Sequence, residues 1–449
     1  MSQPFDLLVR GGTCLLPGGR HRADVGLRAG RIAAIGDLAG SSAAQTLDAR
    51  GLHVLPGVID TQVHFREPGL THKEDLATGT AAAVLGGVTA IFEMPNTRPN
   101  TLGAGELEDK LARAEGRAHC HVAFFIGAAE ENVDHLARLE RLPGCAGVKV
   151  FMGSSTGSLL VESEALLERV LGSGRRRVAV HAEDEARLRE RFARVRDGAD
   201  PAEHPHWRDA ETALIATRRL LGLARRTGRP VHVLHVSTRD EMTLLADARD
   251  IATVEVTPQH LTLAAPECYR RLGSRAQMNP PIRGEEHRDG LWLALQAGIV
   301  DVVGSDHAPH TREEKARPYP ASPSGMPGVQ TLLPLLLDHC ARGRLSLERV
   351  VDLTSAGPAR VYSIAGKGRL AVGYDADLTL VDLEARQEIT GAWLASRCGW
   401  SPFEGCTVQG WPRATVVGGR LAMRDGEIVG PPGGRPVRFI ETLGEAVPQ

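Results

Sequence analysis

Side chains suited to metal and carboxylate chemistry follow an apolar run near the start of the chain. Gln62 and His64 come directly after the run 54–59, and Arg66 follows them. Residues two apart point to the same side of an extended strand, so the side chains of Gln62 and His64 face one way. A metal site favours His at both positions, because a neutral amide oxygen is a weak zinc ligand beside imidazole. We therefore take His64 as a metal ligand and Gln62 as a doubtful one.

The same pattern recurs at the ends of other apolar runs. Lys149 lies within one run, His181 and His235 end two more, and Asp306 ends the last. One His at a strand end is usually a structural residue. Several His, Lys and Asp residues at the ends of parallel barrel strands converge on one axis, where a metal can bind. The set predicts a metal centre.

Lys149 is the unusual member of this set, because the run around it is apolar. A buried ammonium group is costly unless its charge is removed or paired. A lysine that reacts with carbon dioxide becomes an anionic, bidentate carbamate that can bridge two metal ions. The alternative is an ion pair between Lys149 and a barrel carboxylate such as Asp306.

Strands and helices alternate between residues 55 and 307. Eight runs rich in Val and Ile are continuous rather than alternating, as expected of strands buried on both faces. These runs cover residues 55–64, 88–96, 119–127, 146–152, 177–184, 230–237, 253–260 and 299–307. Helix-like segments at 72–86, 209–226 and 238–250 separate some of them.

This alternation predicts an α/β protein with a (β/α)8 TIM-like barrel, which we assign to residues 55–367. A doubly wound open sheet is the alternative, but no Gly-rich phosphate turn follows the first strand. Residues 1–54 and 368–449 contain short strands and Gly-rich turns. We predict that they pair into one composite β-sandwich domain, and that the tail from Pro431 is an extended wrap or a loose end.

The composition excludes several classes of partner. The chain of 449 residues has a formal net charge of -2 and only 4% aromatic residues, which argues against nucleic-acid binding. No apolar stretch reaches the roughly 18 residues of a membrane span. Seven scattered cysteines without a Cys-x-x-Cys pair, and a start without a basic and apolar leader, predict a cytoplasmic protein with reduced thiols.

The motifs together resemble those of the amidohydrolase superfamily, and within it the class I dihydroorotases. Each motif is weak alone, but the set is specific and spans nearly the whole chain. The motifs are His-Phe-Arg-Glu-Pro-Gly at 64–69, Met-Pro-Asn-Thr at 94–97, Lys149, His-Ala-Glu-Asp at 181–184, His-Val-Ser at 235–237, Met-Asn-Pro-Pro-Ile-Arg at 278–283, Ser-Asp-His-Ala-Pro-His at 305–310 and Ser-Pro-Phe-Glu-Gly at 401–405.

The resemblance implies a role for each ligand candidate. His64, Lys149 as the carbamate and Asp306 would hold one metal ion. Lys149, His181 and His235 would hold a second, with Zn²⁺ as the metal and one or two ions per chain. Asp306 would also be the catalytic residue that carries a proton from the attacking hydroxide to the leaving ring nitrogen.

The resemblance also implies the substrate contacts. Arg66, Asn96 and His310 would bind a substrate carboxylate, and Asn279 would lie beside the ring. Backbone groups of Pro327 and Gly328 would face the ring amides. The Pro-rich loop 311–325 would form a lid or rim, whereas His72, His204 and His206 are predicted to be structural.

The implied activity is the interconversion of dihydroorotate and carbamoyl aspartate in pyrimidine biosynthesis, by a cytoplasmic homodimer acting on a small molecule. Allantoinases and hydantoinases are the alternatives within the superfamily, and they lack Arg before Glu-Pro-Gly. The chain departs from the family pattern at Gln62 and at Gln259, where His is usual. Gln62 leaves three outcomes open: a weakened first metal site, coordination through the amide oxygen or a water, or a catalytically silent partner of aspartate transcarbamoylase.

Overall fold

The computed structural model describes residues 4–155 and 157–443. Within them the strands, in chain order, are β1 (Phe5–Leu16), β2 (Gly19–Arg28), β3 (Arg31–Gly36), β4 (Ala43–Asp48), β5 (His53–Pro56), β6 (Val58–Val63), β7 (Val88–Glu93), β8 (His121–Gly127), β9 (Cys145–Phe151), β10 (Val178–His181), β11 (Val231–Val233), β12 (Ala252–Val256), β13 (Val302–Val303), β14 (Leu378–Glu388), β15 (Thr407–Val417), β16 (Arg420–Arg424) and β17 (Glu427–Ile428).

The α-helices lie mostly between the strands of the central region. They are α1 (Leu76–Leu85), α2 (Ala104–Ala114), α3 (Leu136–Leu139), α4 (Glu164–Gly172), α5 (Glu185–Phe192), α6 (His204–Trp207), α7 (Ala210–Thr227), α8 (Arg239–Ala246), α9 (Pro258–Thr262), α10 (Glu267–Leu272), α11 (Glu285–Gln296), α12 (Arg312–Lys315), α13 (Leu332–Ala341), α14 (Leu347–Val351) and α15 (Gly357–Val361). Across the described chain, no helix is both long and apolar enough to cross a membrane.

Strands β6 to β13 form one parallel sheet in sequential order. A parallel bridge between Val63 and His307 brings its two edges together, so the sheet is a nearly closed barrel of eight strands. This confirms the predicted (β/α)8 architecture. The predicted Val/Ile-rich runs are buried throughout these strands, because the barrel core covers one face and the surrounding helices cover the other.

A second sheet combines both ends of the chain. Its order is β17-β16-β15-β14-β5-β1-β2-β3, with β4 paired to β1, and it is mainly antiparallel. The sheet matches the predicted pairing of the two termini. The domain boundaries at residues 54/55 and 367/368 stay a prediction.

The predicted strand 55–64 is two strands in the structure. β5 belongs to the second sheet and β6 to the barrel, and Gly57 lies between them. A Cβ atom at Gly57 would lie 2.3 Å from Thr89 Oγ1 and 2.8 Å from Asp377 Cβ. Only glycine fits this close approach, so the chain can pass directly from one sheet to the other.

The predicted strand 253–260 is wrong at its end. β12 stops at Val256, and Gln259 and His260 lie on the short helix α9. The Thr257 hydroxyl accepts a hydrogen bond from the His260 amide, and Pro258 occupies the first turn. Both are helix-start signals, so the strand ends before them and a helix begins.

The tail beyond Pro431 packs across one end of the barrel, and the structure describes it as far as Leu443. Pro436 pairs with Val122 near the start of β8, and Phe439 packs edge-on against Phe92 inside the barrel. Phe439 is only 1% exposed. The tail therefore covers the end of the barrel opposite the predicted site, and its last six residues lie outside the described part.

Candidate metal centre and active site

The C-terminal ends of the barrel strands surround one small pocket. Its lining residues are Gln62, His64, Arg66, Asn96, Phe151, Ser155, His181, His235, Asn279, Asp306, Ala308, Ser324 and Gly325. The structure thus brings together most of the predicted site residues. Lys149, His310, Pro327 and Gly328 are not in the lining.

His181 and His235 face each other across one side of the pocket. His181 Nδ1 lies 3.0 Å from His235 Nε2, and His181 Nε2 lies 2.9 Å from Glu183 Oε2. Because a carboxylate only accepts hydrogen bonds here, Nε2 of His181 carries the proton and Nδ1 offers a lone pair to the pocket. Arg208 holds Glu183 from behind with Nε hydrogen bonds of 3.1 Å.

His64 is oriented in the same way by a different partner. Its Nδ1 lies 2.8 Å from Asn96 Oδ1, so Nδ1 donates and the Nε2 lone pair faces the pocket. Nε2 lies 3.2 Å from Asp306 Oδ1. Asn96, predicted to bind substrate, thus also fixes the tautomer of His64.

Asp306 lies three residues after β13 in a left-handed backbone conformation, with φ of 43°. Burial raises the pKa of Asp306 to about 7, and the nearby His181 and Lys149 partly offset this. A carboxyl group with a pKa near neutrality can both accept and release a proton during turnover.

Gln62 points its amide toward Asp306. Gln62 Nε2 donates to Asp306 Oδ1 at 3.2 Å, while Gln62 Oε1 is buried and accepts no hydrogen bond from the described residues. A buried, unsatisfied amide oxygen is costly. The side chain therefore braces Asp306 and leaves one neutral oxygen for a cation or a water.

Lys149 is fully buried in β9 with its ammonium group turned along the strand. Its Nζ donates to the Val150 carbonyl at 3.2 Å and lies 4.0 Å from the centroid of the Phe151 ring. No carboxylate of the described residues forms a salt bridge with it, so the predicted Lys149–Asp306 ion pair is not formed. Burial lowers the pKa of Lys149 to about 7, which leaves much of the amine neutral and nucleophilic.

The donor set fits a metal ion by its chemistry. Tetrahedral zinc with Zn–N distances of roughly 2.0–2.1 Å separates two ligand nitrogens by roughly 3.3 Å, close to the 3.0 Å between the His181 and His235 nitrogens. His64 and Asp306 likewise face each other with acceptor atoms and no donor between them. Glu183 behind His181 is the outer carboxylate usual for a metal-bound imidazole.

Among the described residues, no three or more His, Cys, Asp or Glu side chains form a ready metal cluster. The donors stand instead as two pairs, His64 with Asp306 and His181 with His235.

A second region of the pocket is built to bind an anion. Arg66 is 1% exposed, and no carboxylate among the described residues lies within ion-pair distance of it. Its Nε donates to the Pro309 carbonyl at 3.3 Å, and one terminal nitrogen lies 3.4 Å from His310 Nε2. Burial lowers the pKa of Arg66 to about 10, so the guanidinium stays charged at neutral pH.

The remaining predicted substrate residues occupy different positions. The Asn279 side chain reaches Ser155 Oγ at 3.2 Å and lines the pocket. The Gly328 amide donates to His307 Nδ1 at 3.0 Å and does not line the pocket. The predicted contact of Pro327 and Gly328 with a substrate ring stays a prediction.

Sequence reasoning missed the supporting residues. Glu183 shares a motif with His181, and its spacing of two residues could have placed it beside that ring. His204, predicted to be structural, is fully buried and lies 3.0 Å from Asn279 Oδ1. Arg208 and Lys73 lie on connections far from their partners in sequence, so no local signal marks them.

An eight-stranded barrel with this set of side chains at its strand ends defines a class of barrel hydrolases. The chain belongs to the amidohydrolase family, whose sequence profile matches residues 53–422. It is 39% identical over 426 residues to a dihydroorotase from Halobacterium salinarum, covering 94% of this chain and 98% of the relative. It is 38% identical over 459 residues to an allantoinase from Rubrobacter xylanophilus, covering 98% and 99%.

Solved structures share the whole architecture. An L-hydantoinase (dihydropyrimidinase) from Arthrobacter aurescens superposes with a TM-score of 0.90 at 30% identity, covering 96% of this chain and 99% of that chain. A D-hydantoinase superposes with a TM-score of 0.86 at 28% identity. These relatives carry three different enzyme names: dihydroorotase, allantoinase and hydantoinase.

Proposed function

We propose that this chain is a metal-dependent dihydroorotase that opens the ring of dihydroorotate and closes carbamoyl aspartate. The observation that carries the choice of substrate is the buried Arg66 in the pocket lining, with His310 3.4 Å behind it. A buried guanidinium without a protein carboxylate is an unbalanced charge, and a substrate carboxylate would balance it. Dihydroorotate carries a carboxylate on its ring.

An allantoinase is the second candidate, because a relative of that name is nearly as similar as the dihydroorotase. Arg66 favours dihydroorotate over allantoin or a hydantoin. Those neutral rings have no carboxylate to place against the guanidinium, and desolvating Arg66 without a partner would weaken their binding.

Metal binding would rest on His64, Lys149, His181, His235 and Asp306. The neutral amine of Lys149 would attack carbon dioxide and lose a proton, forming the carbamate that completes both ligand pairs. When bound, zinc would polarise the ring carbonyl and lower the pKa of a water. One or two ions per chain are consistent with this donor set.

Asp306 is the proton carrier in this proposal. It lines the pocket and accepts one hydrogen bond from Gln62, which holds the carboxylate in place. Asp306 takes the proton from the attacking water, and the ring C–N bond breaks as the proton passes to the leaving nitrogen. Arg66 and His310 hold the carboxylate so that the ring amide faces Asp306.

We also propose that the protein is a class I dihydroorotase, that it forms a homodimer and that it is located in the cytoplasm. An aspartate transcarbamoylase partner is a further expectation. The intact set of Lys149, His181, His235 and Asp306 supports a working enzyme rather than a silent partner.

The test is ring opening of dihydroorotate by the purified protein, followed by ultraviolet absorbance, with metal content measured on the same sample. Turnover that a chelator removes and zinc restores is the expected result. Bound metal with turnover of allantoin but not dihydroorotate would support the second candidate. Neither metal nor turnover would support the silent-partner alternative.

Arg66→Met tests the assigned role of the guanidinium. Losing a charge-assisted contact to a buried carboxylate costs about 2–5 kcal/mol, so kcat/KM for dihydroorotate falls by at least about 30-fold. Most of the loss lies in KM, measured by steady-state kinetics. The matched control is Arg113→Met, which removes an exposed guanidinium outside the pocket and leaves kcat/KM unchanged. An unchanged KM in Arg66→Met would reject the carboxylate assignment.

Gln62→His tests how far Gln62 limits the metal content. An imidazole replaces a weak amide ligand, so we expect bound zinc to rise toward two ions per chain in elemental analysis. The imidazole N–H of the variant can replace the Gln62 amide as the hydrogen-bond donor to Asp306. The conservative control Gln62→Asn shortens the amide and is expected to bind no more metal than the natural chain. Equal zinc content in Gln62→His would show that this residue does not set the stoichiometry.

A further inference from the structure

We propose that Lys73 is a positioning residue, which holds His310 as the neutral tautomer with a proton on Nε2 and so aims that donor at the substrate carboxylate. The identity of the ligand rests on the proposed function, whereas the tautomer of His310 does not. Lys73 lies outside every motif identified in the sequence. Its ammonium group reaches His310 from behind, on the side away from Arg66.

The Nε2 side of the ring defines where the proton lies. His310 Nε2 is 3.0 Å from the Ser324 carbonyl oxygen, which can only accept a hydrogen bond. Nε2 must therefore carry a proton. The Arg66 nitrogen at 3.4 Å is also a donor, so the two groups face each other as donors. A substrate carboxylate that replaces the Ser324 carbonyl as the acceptor at Nε2 would lie beside Arg66 and accept from both groups.

The opposite side of the ring agrees with this assignment. His310 Nδ1 is 3.0 Å from Lys73 Nζ. An ammonium group has only donors, so Nδ1 accepts and carries no proton. Burial lowers the pKa of His310 well below its usual value, and the nearby Arg66 and Lys73 lower it further. The ring is therefore neutral, with one defined tautomer.

Glu314 supplies the counter-charge for Lys73. Its Oε1 is 3.1 Å from Lys73 Nζ, and its Oε2 is 3.7 Å from His310 Nδ1. Glu314 is held in place by a capping box with Thr311 at the start of α12. Without Lys73, two imidazoles would remain beside the Glu314 carboxylate: the exposed His72, with Nε2 3.3 Å from Oε1, and the buried His310.

The consequence is a competition for His310. With Lys73 present, Glu314 is neutralised and the imidazole keeps Nε2 beside the Ser324 carbonyl and Arg66. Without Lys73, Glu314 would draw a proton to Nδ1 and pull the ring away from Arg66. The buried cation near the substrate carboxylate would also be lost. Lys73 therefore supports carboxylate binding through His310 rather than by touching the substrate.

This arrangement also ties the loop 311–325 to the pocket. Glu314 joins the loop to the segment before α1, where His72 Nε2 also lies 3.3 Å from Glu314 Oε1. A clamp between loop and barrel is the alternative role for Lys73. A clamp would be broken equally by replacing Lys73 or Glu314, whereas a positioning role predicts an effect from replacing Lys73 only.

The experiment compares two variants that break the Lys73–Glu314 pair from opposite sides. Lys73→Met is expected to raise KM for dihydroorotate about tenfold and to change kcat less than twofold. Glu314→Gln keeps the capping acceptor and the Lys73–His310 contact, so its KM should not rise. His72→Gln is the matched control, because His72 contacts Glu314 but not His310, and its KM should equal that of the natural chain. Equal increases in Lys73→Met and Glu314→Gln would mean a clamp and would overturn the proposal.

A second readout is independent of substrate. In protein labelled with ¹⁵N-histidine, His310 should show an unprotonated Nδ1 and a protonated Nε2, assigned by the loss of its signals in His310→Asn. Lys73→Met should shift Nδ1 toward the protonated state, and Glu314→Gln should not. Failure of the natural chain to open dihydroorotate would overturn the proposed function alone. An unchanged Nδ1 signal in Lys73→Met would overturn the role of Lys73.

Discussion

Replacing Asp306 by Asn should lower the rate of dihydroorotate ring opening by about 10³-fold, within the roughly 10²–10⁴-fold contribution of a general acid–base group. Among the described residues that line the pocket, Asp306 alone carries a carboxylate. Asn has nearly the same shape, so the hydrogen bond from Gln62 to its oxygen can persist. It cannot accept and return a proton, and the reaction loses its proton carrier.

The measurement needs kcat and metal content from the same preparation, because Asp306 is also a predicted ligand. A loss of turnover with zinc retained would assign the effect to proton transfer. A loss of both would assign it to the metal. The control Glu162→Gln removes an exposed carboxylate from an ion pair with Arg189 and should leave both quantities unchanged. Turnover in Asp306→Asn within tenfold of the natural chain would contradict the assigned role.

Replacing Arg208 by Met should lower the free energy of unfolding by about 3–5 kcal/mol, the usual effect of removing one partner from a buried ion pair. Arg208 is 1% exposed and Glu183 is 0% exposed. Two Arg208 nitrogens donate to the Glu183 carboxylate, and the Arg208 side chain also donates to the Ser154 carbonyl at 2.8 Å. The variant would leave a carboxylate buried behind His181 with one partner fewer.

Arg189→Met is the matched control for this prediction. Arg189 also forms a two-point contact with a glutamate, at 2.8 Å for each nitrogen, but both side chains of that pair are exposed. Exposed pairs contribute roughly 0–1 kcal/mol, so the control should unfold almost like the natural chain. Denaturant unfolding of both variants gives the comparison. A loss below about 1 kcal/mol in Arg208→Met would show that the pair adds little to stability.

A second result should follow from Arg208→Met in the metal site. Glu183 accepts from His181 and so keeps the Nδ1 lone pair of that ring toward the pocket. A displaced Glu183 would release the ring, and zinc affinity should fall by about 10- to 100-fold, as is usual for loss of an outer-shell partner. Zinc titration of the folded variant measures this effect separately from stability.

Much of the fold follows from local patterns in the sequence. Continuous apolar runs separated by helical segments specify parallel strands buried on both faces, and eight such runs close into a barrel. Because parallel strands end on the same side, polar residues at those ends meet. This is why His64, His181, His235 and Asp306 lie around one pocket, as their positions in the sequence predict. The pairing of both termini in one sheet was also predictable, since neither end has enough strands alone.

The structure differs from the predicted strands where an apolar run is compatible with more than one local structure. The run 253–260 is apolar enough for a strand, but Thr257 and Pro258 start a helix at its end. The run 55–64 is continuous in sequence, yet the close approach of Thr89 to Gly57 divides it between two sheets. The first departure follows from a local helix-start signal, whereas the second depends on the packing of Thr89, which is distant in sequence, against Gly57.

The sequence by itself determined the barrel, the family and the set of candidate ligands, because these depend on the order and spacing of residue types. The tertiary structure alone decided which residues hold the candidate ligands and substrate-binding side chains in position. Arg208 behind Glu183 and Lys73 behind His310 are separated from their partners by 25 and 237 positions in the chain. Charge pairs of this kind need only proximity in space, and no spacing along the chain encodes it. Proton positions on the imidazoles follow from those partners, and so they too belong to the folded protein.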